Sequence, residues 1–138
     1  MEEGLIKVTP DLEKAKSIIK MVETTLEMIK SLDAKKFTSN ITKEYYEVIR
    51  ELIGVVLLLE GFKTFGEGAH KRLIKYLEEN YQEFDQEEID LIDNLRIIRN
   101  KIAYDGFFVE KDYIERRVKD ILTIIGKLKD IINKKLEE

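Results

Sequence analysis

The chain has 138 residues with one proline, seven glycines, one histidine and no cysteine, and 38% of its residues are charged for a net charge of −4. That length predicts one domain, residues 1–138, with a core large enough to fold without staples. The composition excludes a disulfide framework and a thiolate metal site, and a single imidazole argues against a zinc or iron centre, so no metal and no cofactor are expected.

Met1-Glu2-Glu3-Gly4 has no basic segment leading into an apolar one, which predicts no signal peptide. The longest apolar run, Ile53 to Leu59, is too short to span a bilayer, so the expectation is a cytoplasmic protein without membrane contact. Abundant Lys, Glu and Ile without Cys or Trp lean toward a thermophile's usage.

Thr9-Pro10-Asp11 reads as a helix start with Thr9 as cap and Pro10 at the first helical position. Leu12, Ala15, Ile19, Val22, Leu26 and Ile29 then recur at alternating spacings of three and four, which predicts a first helix over 10–32. Residues 33–41 have no period and read as a connection. Thr42 is the expected cap of a second helix, whose stripe of Tyr45, Ile49, Leu52, Val56 and Leu59 is widened by Val48, Ile53, Val55 and Leu58. So broad an apolar surface marks a central helix. Gly54 inside it costs about 1 kcal/mol relative to Ala, which predicts a close backbone approach there. Gly61 ends it.

Residues 62–68, rich in glycine and aromatics, read as a turn before a third helix over 69–80 that buries Leu73, Ile74 and Leu77. Asp85 and Glu88 have capping-box spacing for a fourth helix, with Leu91, Leu95, Ile98 and Ile102 as its seam and Gly106 as its stop. A fifth helix over 110–136 carries Ile114, Val118, Ile121, Ile125, Leu128 and Ile132 on one face. No segment shows strand alternation. The expected architecture is an all-α, up-and-down bundle of four to five helices.

Charge is uneven along the chain. Residues 78–93 hold eight acids and no base, whereas residues 94–138 hold eleven bases and eight acids. The acids read as solvated charge rather than a metal site, and the bases alternate with acids at helical spacing, as on a solvated face.

The fourth helix ends in Arg96-Ile97-Ile98-Arg99-Asn100-Lys101-Ile102-Ala103-Tyr104-Asp105-Gly106. Helical spacing puts Arg96, Arg99 and Ala103 on one strip, with Asn100 and Tyr104 stacked beside it. Two guanidiniums next to an apolar seam require an anion: a phosphate, with Lys101 as a further contact, or a carboxylate such as Asp93, Asp90 or an acid of a partner chain. Tyr104 has two readings from its position: a packed helix-end aromatic, or a residue that bonds phosphate or stacks on a base. His70 follows Gly66 and Gly68 near a helix start. It satisfies a local hydrogen bond, or, if the fold carries it beside Arg99, it becomes an accessory proton acceptor.

The segment from Leu57 through Gly106 resembles the HEPN family, small all-α proteins of archaea and bacteria that often accompany a minimal nucleotidyltransferase. Two blocks carry the likeness: Leu59 to Lys71, with its glycine and aromatic turn before His70-Lys71, and Leu95 to Gly106, where Arg99-Asn100 and three intervening residues precede Tyr104. The resemblance implies a homodimer whose paired motifs form a cleft for RNA or a nucleotide. Arg99 would hold the scissile phosphate, Asn100 would orient it, and Tyr104 occupies the position of a catalytic His. A phenol with a reference pKa near ~10 is a poor general base at neutral pH, so the expectation is binding with ribonuclease activity weak or absent. The alternative is a non-catalytic toxin-antitoxin or scaffold subunit whose arginines serve its dimer or its nucleotidyltransferase partner.

Overall fold

The computed structural model describes residues 4–138, and the reading of Met1, Glu2 and Glu3 lies outside them. The protein is an all-α bundle of five helices with one small two-stranded antiparallel sheet. The elements in chain order are β1 (Leu5–Lys7), α1 (Leu12–Lys30), α2 (Thr38–Glu60), β2 (Phe62–Thr64), α3 (Ala69–Asn80), α4 (Gln86–Asp105) and α5 (Tyr113–Glu137). One continuous apolar cluster draws residues from all five helices. Among the described residues no helix is long and apolar enough to cross a membrane.

The broad apolar surface of α2 makes it central, as expected. It buries residues around its circumference, including Tyr46, Val48, Ile49, Leu52, Ile53, Val55, Val56 and Leu57, and it packs against α1, α3, α4 and α5. Only α2 has neighbours on every side, so only α2 lacks a polar face along most of its length.

Several boundaries differ from the sequence reading. The cap of α1 is Asp11, whose carboxylate accepts the Lys14 amide at 3.0 Å, so Thr9 and Pro10 lie ahead of the helix. A carboxylate also favours the positive end of the helix dipole. α2 starts at Thr38, one turn before Thr42. The Thr42 hydroxyl donates to the Thr38 carbonyl at 2.7 Å inside the helix. Long-range bonds hold that extra turn: Thr38 Oγ1 donates to the Lys111 carbonyl at 3.0 Å, and Ser39 Oγ accepts from the Val109 amide at 2.9 Å. These bonds also tie the α4–α5 connection to the start of α2, which delays α5 to Tyr113 instead of residue 110.

Residues 62–64, expected as part of a turn, form β2 and pair antiparallel with β1 in the register Leu5–Thr64, Ile6–Lys63 and Lys7–Phe62. Gly61 makes this return possible. It sits at φ 87°, and a Cβ there would lie 3.2 Å from the Val8 carbonyl oxygen, while its own carbonyl accepts the Val8 amide at 2.9 Å. The sheet and the turn after it set the start of α3, and hence His70, back against α2.

In α4 the Asp85–Glu88 capping box forms in both directions, at 2.8 and 3.0 Å. The buried positions are Ile89, Ile92 and Leu95, while Leu91, Ile98 and Ile102 are half-buried. Beyond Leu95 the helix is only partly covered, with Ile98, Arg99, Asn100 and Ile102 half-buried, and its last residues, Ala103 to Asp105, are exposed.

Gly54 does not mark a close approach. Nothing lies within 4 Å of a Cβ built on it, and the glycine instead opens the wall of a cavity. Gly54→Ala is therefore expected to stabilise the protein by about 0.5–1 kcal/mol through helix propensity, read as a higher urea midpoint at unchanged slope. A loss of stability would show that the glycine serves packing.

Candidate anion site where α2 meets α4

Between Tyr45 and Leu59 the only charged residues of α2 are Glu47, Arg50 and Glu51, and α4 brings Arg99 against this charged flank, with Arg96 one turn before it. Arg99 Nε lies 2.9 Å from Glu47 Oε1, Arg50 Nη2 donates to Glu47 Oε2 at 2.7 Å, and Arg50 reaches Glu51 at 3.7 Å. Arg96 Nε donates to Asp93 Oδ1 at 2.9 Å, one turn back on its own helix. Asp93 is among the acids the sequence offered for this role; Glu47 is not. Both arginine side chains are mostly covered, at 18% and 19% exposure.

The Arg99–Glu47 contact is close but not a directed hydrogen bond. Glu47 Oε1, Arg99 Nε and Arg50 Nε are all buried without a hydrogen-bond partner. Buried polar groups left in this state cost roughly 1–3 kcal/mol each, so the network is under-satisfied and could take another oxygen acceptor. Burial pushes the Glu47 carboxyl up, but the Arg50 hydrogen bond and charge, then Arg99 and His70, outweigh it and hold the group below its usual range.

Asn100 and Tyr104 complete the outer side. Arg99 Nη1 donates to Asn100 Oδ1 at 3.2 Å, and the guanidinium carbon lies 6.0 Å from the centre of the Tyr104 ring. Arg99 is thus held between a carboxylate behind it and an amide and an aromatic in front. Tyr104 is 76% exposed, and Phe107 and Phe108 beyond it are 44% and 83% exposed. Lys101 points elsewhere: its Nζ sits 5.7 Å over Phe107, and the residue lines the groove between α4 and α5.

His70 does reach this cluster. Its ring is tilted 49° against buried Tyr46 at 6.2 Å, and it feels the charges of Arg50, Glu47, Arg99 and Arg96. Burial first, then Arg50, Arg99 and Arg96, lower its pKa against the opposing pull of Glu47. The imidazole is therefore neutral at pH 7, the form that can accept a proton. Tyr46 is pushed up to about 12, chiefly by burial.

Comparison with protein-family models, with curated proteins and with solved structures gives no match. The assignment of function rests on the site itself.

Of the residues singled out from sequence, the fold gathers Arg96, Arg99, Asn100, Tyr104 and His70 on one side and leaves Lys101 on another. Sequence reasoning missed Tyr46, Glu47 and Arg50. Their signal was present: Glu47, Arg50 and Glu51 are the only charges between Tyr45 and Leu59. Among the described residues no three acidic or histidine side chains converge in a way that could hold a metal ion.

Proposed function

We propose that this protein is a HEPN-like binding module that takes RNA or a nucleotide at the exposed end of α4 as a homodimer, with cleavage weak or absent. The observation that carries this reading is the position of Arg99, steadied by Glu47 and Asn100 beside an exposed aromatic surface. Tyr104, Phe107 and Phe108 offer faces on which unpaired bases stack, at about 1–3 kcal/mol per base, while Arg99 supplies the phosphate contact. Weak or absent cleavage is part of the proposal because the ring beside Arg99 is the phenol of Tyr104, a poor general base, whereas the imidazole of His70 packs on Tyr46.

A second reading is favoured by the intrachain ion pairs. With Arg96 held by Asp93 of its own helix and Arg99 on Glu47, both charges are used within the chain; Arg99 then serves to hold α4 to α2, and the aromatic end of α4 docks a protein such as a minimal nucleotidyltransferase. Fluorescence anisotropy with single-stranded RNA over a salt series separates the two. Under the binding reading Arg99→Ala weakens affinity about tenfold and flattens the salt dependence by roughly one phosphate contact. If the variant binds as wild type does, the RNA reading is abandoned in favour of the scaffold. Sedimentation at the same concentrations is expected to show a dimer.

A further inference from the structure

α4 packs on α2 and α3, and α5 packs on α2, but α4 and α5 do not pack along each other. A groove of about 790 Å³ is left between them. Glu87, Leu91, Asn94, Ile98 and Lys101 of α4 line it, and their spacings of four, three, four and three put them on one stripe of the helix. Leu91 and Ile98 are half-buried, while Glu87, Asn94 and Lys101 are exposed.

The stripe is complementary to itself. Asn94 is its centre, an apolar residue lies about one turn to either side, and Glu87 and Lys101 each stand seven residues out with opposite charge. Neither of them forms an ion pair among the described residues. Two-fold symmetry demands that a surface match its own inverted copy, and this stripe does so when a second helix is turned end for end. α5 reinforces the basic end, where exposed Arg117 lines the groove with Asp120 one turn further along. At the acidic end Lys127 is taken by Glu88 at 2.7 Å, so its charge does not offset Glu87 and Asp90.

We propose that this groove is a dimer interface whose occupant is the α4 helix of a second copy of this chain, antiparallel to the first and centred on Asn94. Leu91 then meets Ile98 of the partner subunit on both sides of the axis. Glu87 lies between Lys101 of the partner subunit and Arg117 of the partner subunit at each end. The two Asn94 amides face each other at the centre, where a polar residue in an apolar seam fixes the register. The inference rests on the homodimer of the proposed function and gives it a surface that uses neither Arg99 nor Tyr104. Arg99 is on the α2 side of α4, paired with Glu47. The two copies of Arg99 stand ten residues apart along the paired helices, or about 15 Å, so each protomer keeps its own anion site.

The test is sedimentation velocity over a concentration series, with circular dichroism to verify that each variant is folded. Glu87→Lys and Lys101→Glu each turn two attractive pairs per dimer into repulsive ones, and each is expected to weaken dimerisation at least about tenfold. Mixed in equal amounts, the two variants regain opposite charges at both ends of the interface. They are expected to form a heterodimer at least about tenfold tighter than either variant forms alone. Arg99→Ala is expected to leave the dimer intact. Charge variants that dimerise as wild type does, a mixture that does not recover association, or loss of the dimer in Arg99→Ala would each overturn this interface while the homodimer itself stands. A wild-type protein that stays monomeric throughout removes the homodimer, and this interface with it.

Discussion

Glu47→Gln is expected to lower unfolding free energy by about 2–3 kcal/mol at pH 7 while raising affinity for RNA. Breaking one partner out of a largely buried ion pair typically costs several kcal/mol, because the remaining charge is left without compensation. Here the substitution removes the shared partner of Arg50 and Arg99 together, and the 20% exposure of Glu47 moderates the loss. Under the proposed binding mode, the same change frees Arg99 from the group that a phosphate would have to displace. A pure scaffold would show the first effect without the second.

The stability difference depends on pH in a defined direction. The folded-state pKa of Glu47 lies below its ordinary value of 4.5, so its contribution is fully present above about pH 4.5 and disappears as pH falls through the lowered value. Wild type and Glu47→Gln are therefore expected to converge in acid. His70 adds a separate loss, because its depressed pKa makes folding less favourable as pH falls below about 6.5, where the unfolded chain takes up the proton. Urea titrations of both proteins at pH 7, 5, 4 and 3 measure this. A constant difference across the series would remove Glu47 from the ion-pair role.

The helices were legible because each carries its own local signal. The three-four spacing of α1, the breadth of α2, the Asp85–Glu88 box and the glycines at 61 and 106 all act within a few residues, and each element forms where those signals lie. What could not be read depends on distant partners. The extra turn of α2 exists because Thr38 and Ser39 bond to Lys111 and Val109, and nothing near Thr38 announces those bonds. β1 and β2 have three residues each, too few to establish a period of two. Half of the candidate site was visible as Arg96, Arg99, Asn100 and Tyr104, since a helix fixes which of its own residues share a face. The other half, Glu47 and Arg50, comes from α2, and only tertiary packing decides that this flank meets α4. The convergence of His70 likewise depends on the β1–β2 pairing that places α3.

At the other end of α2, replacing Glu60 by Gln is expected to cost about 2–3 kcal/mol at pH 7 without affecting the anion site. Glu60 accepts the hydroxyls of Tyr76 and Tyr81 at 3.0 and 2.9 Å, and Lys135 of α5 lies 3.6 Å away and over the Tyr81 ring. This carboxylate thus links the ends of α2, α3 and α5, and hydrogen bonds to a charged acceptor contribute about 1.5–3 kcal/mol each before allowance for its partial exposure. Burial first, reinforced by Glu60, pushes Tyr76 up to about 12 and also raises Tyr81. Because the folded values exceed the unfolded value near 10, this stabilisation is complete below pH 10 and is lost as pH climbs toward 12 and tyrosinate faces carboxylate. Glu60→Gln has no carboxylate to repel the tyrosinates, so the advantage of wild type should shrink between pH 10 and 12. Denaturation of the pair at pH 7, 10 and 11 reads that difference directly, with lysine titration common to both proteins. An unchanged gap at pH 11 would mean that the two hydroxyls do not depend on Glu60 for their protons, and the link between α2, α3 and α5 would then rest on apolar packing alone.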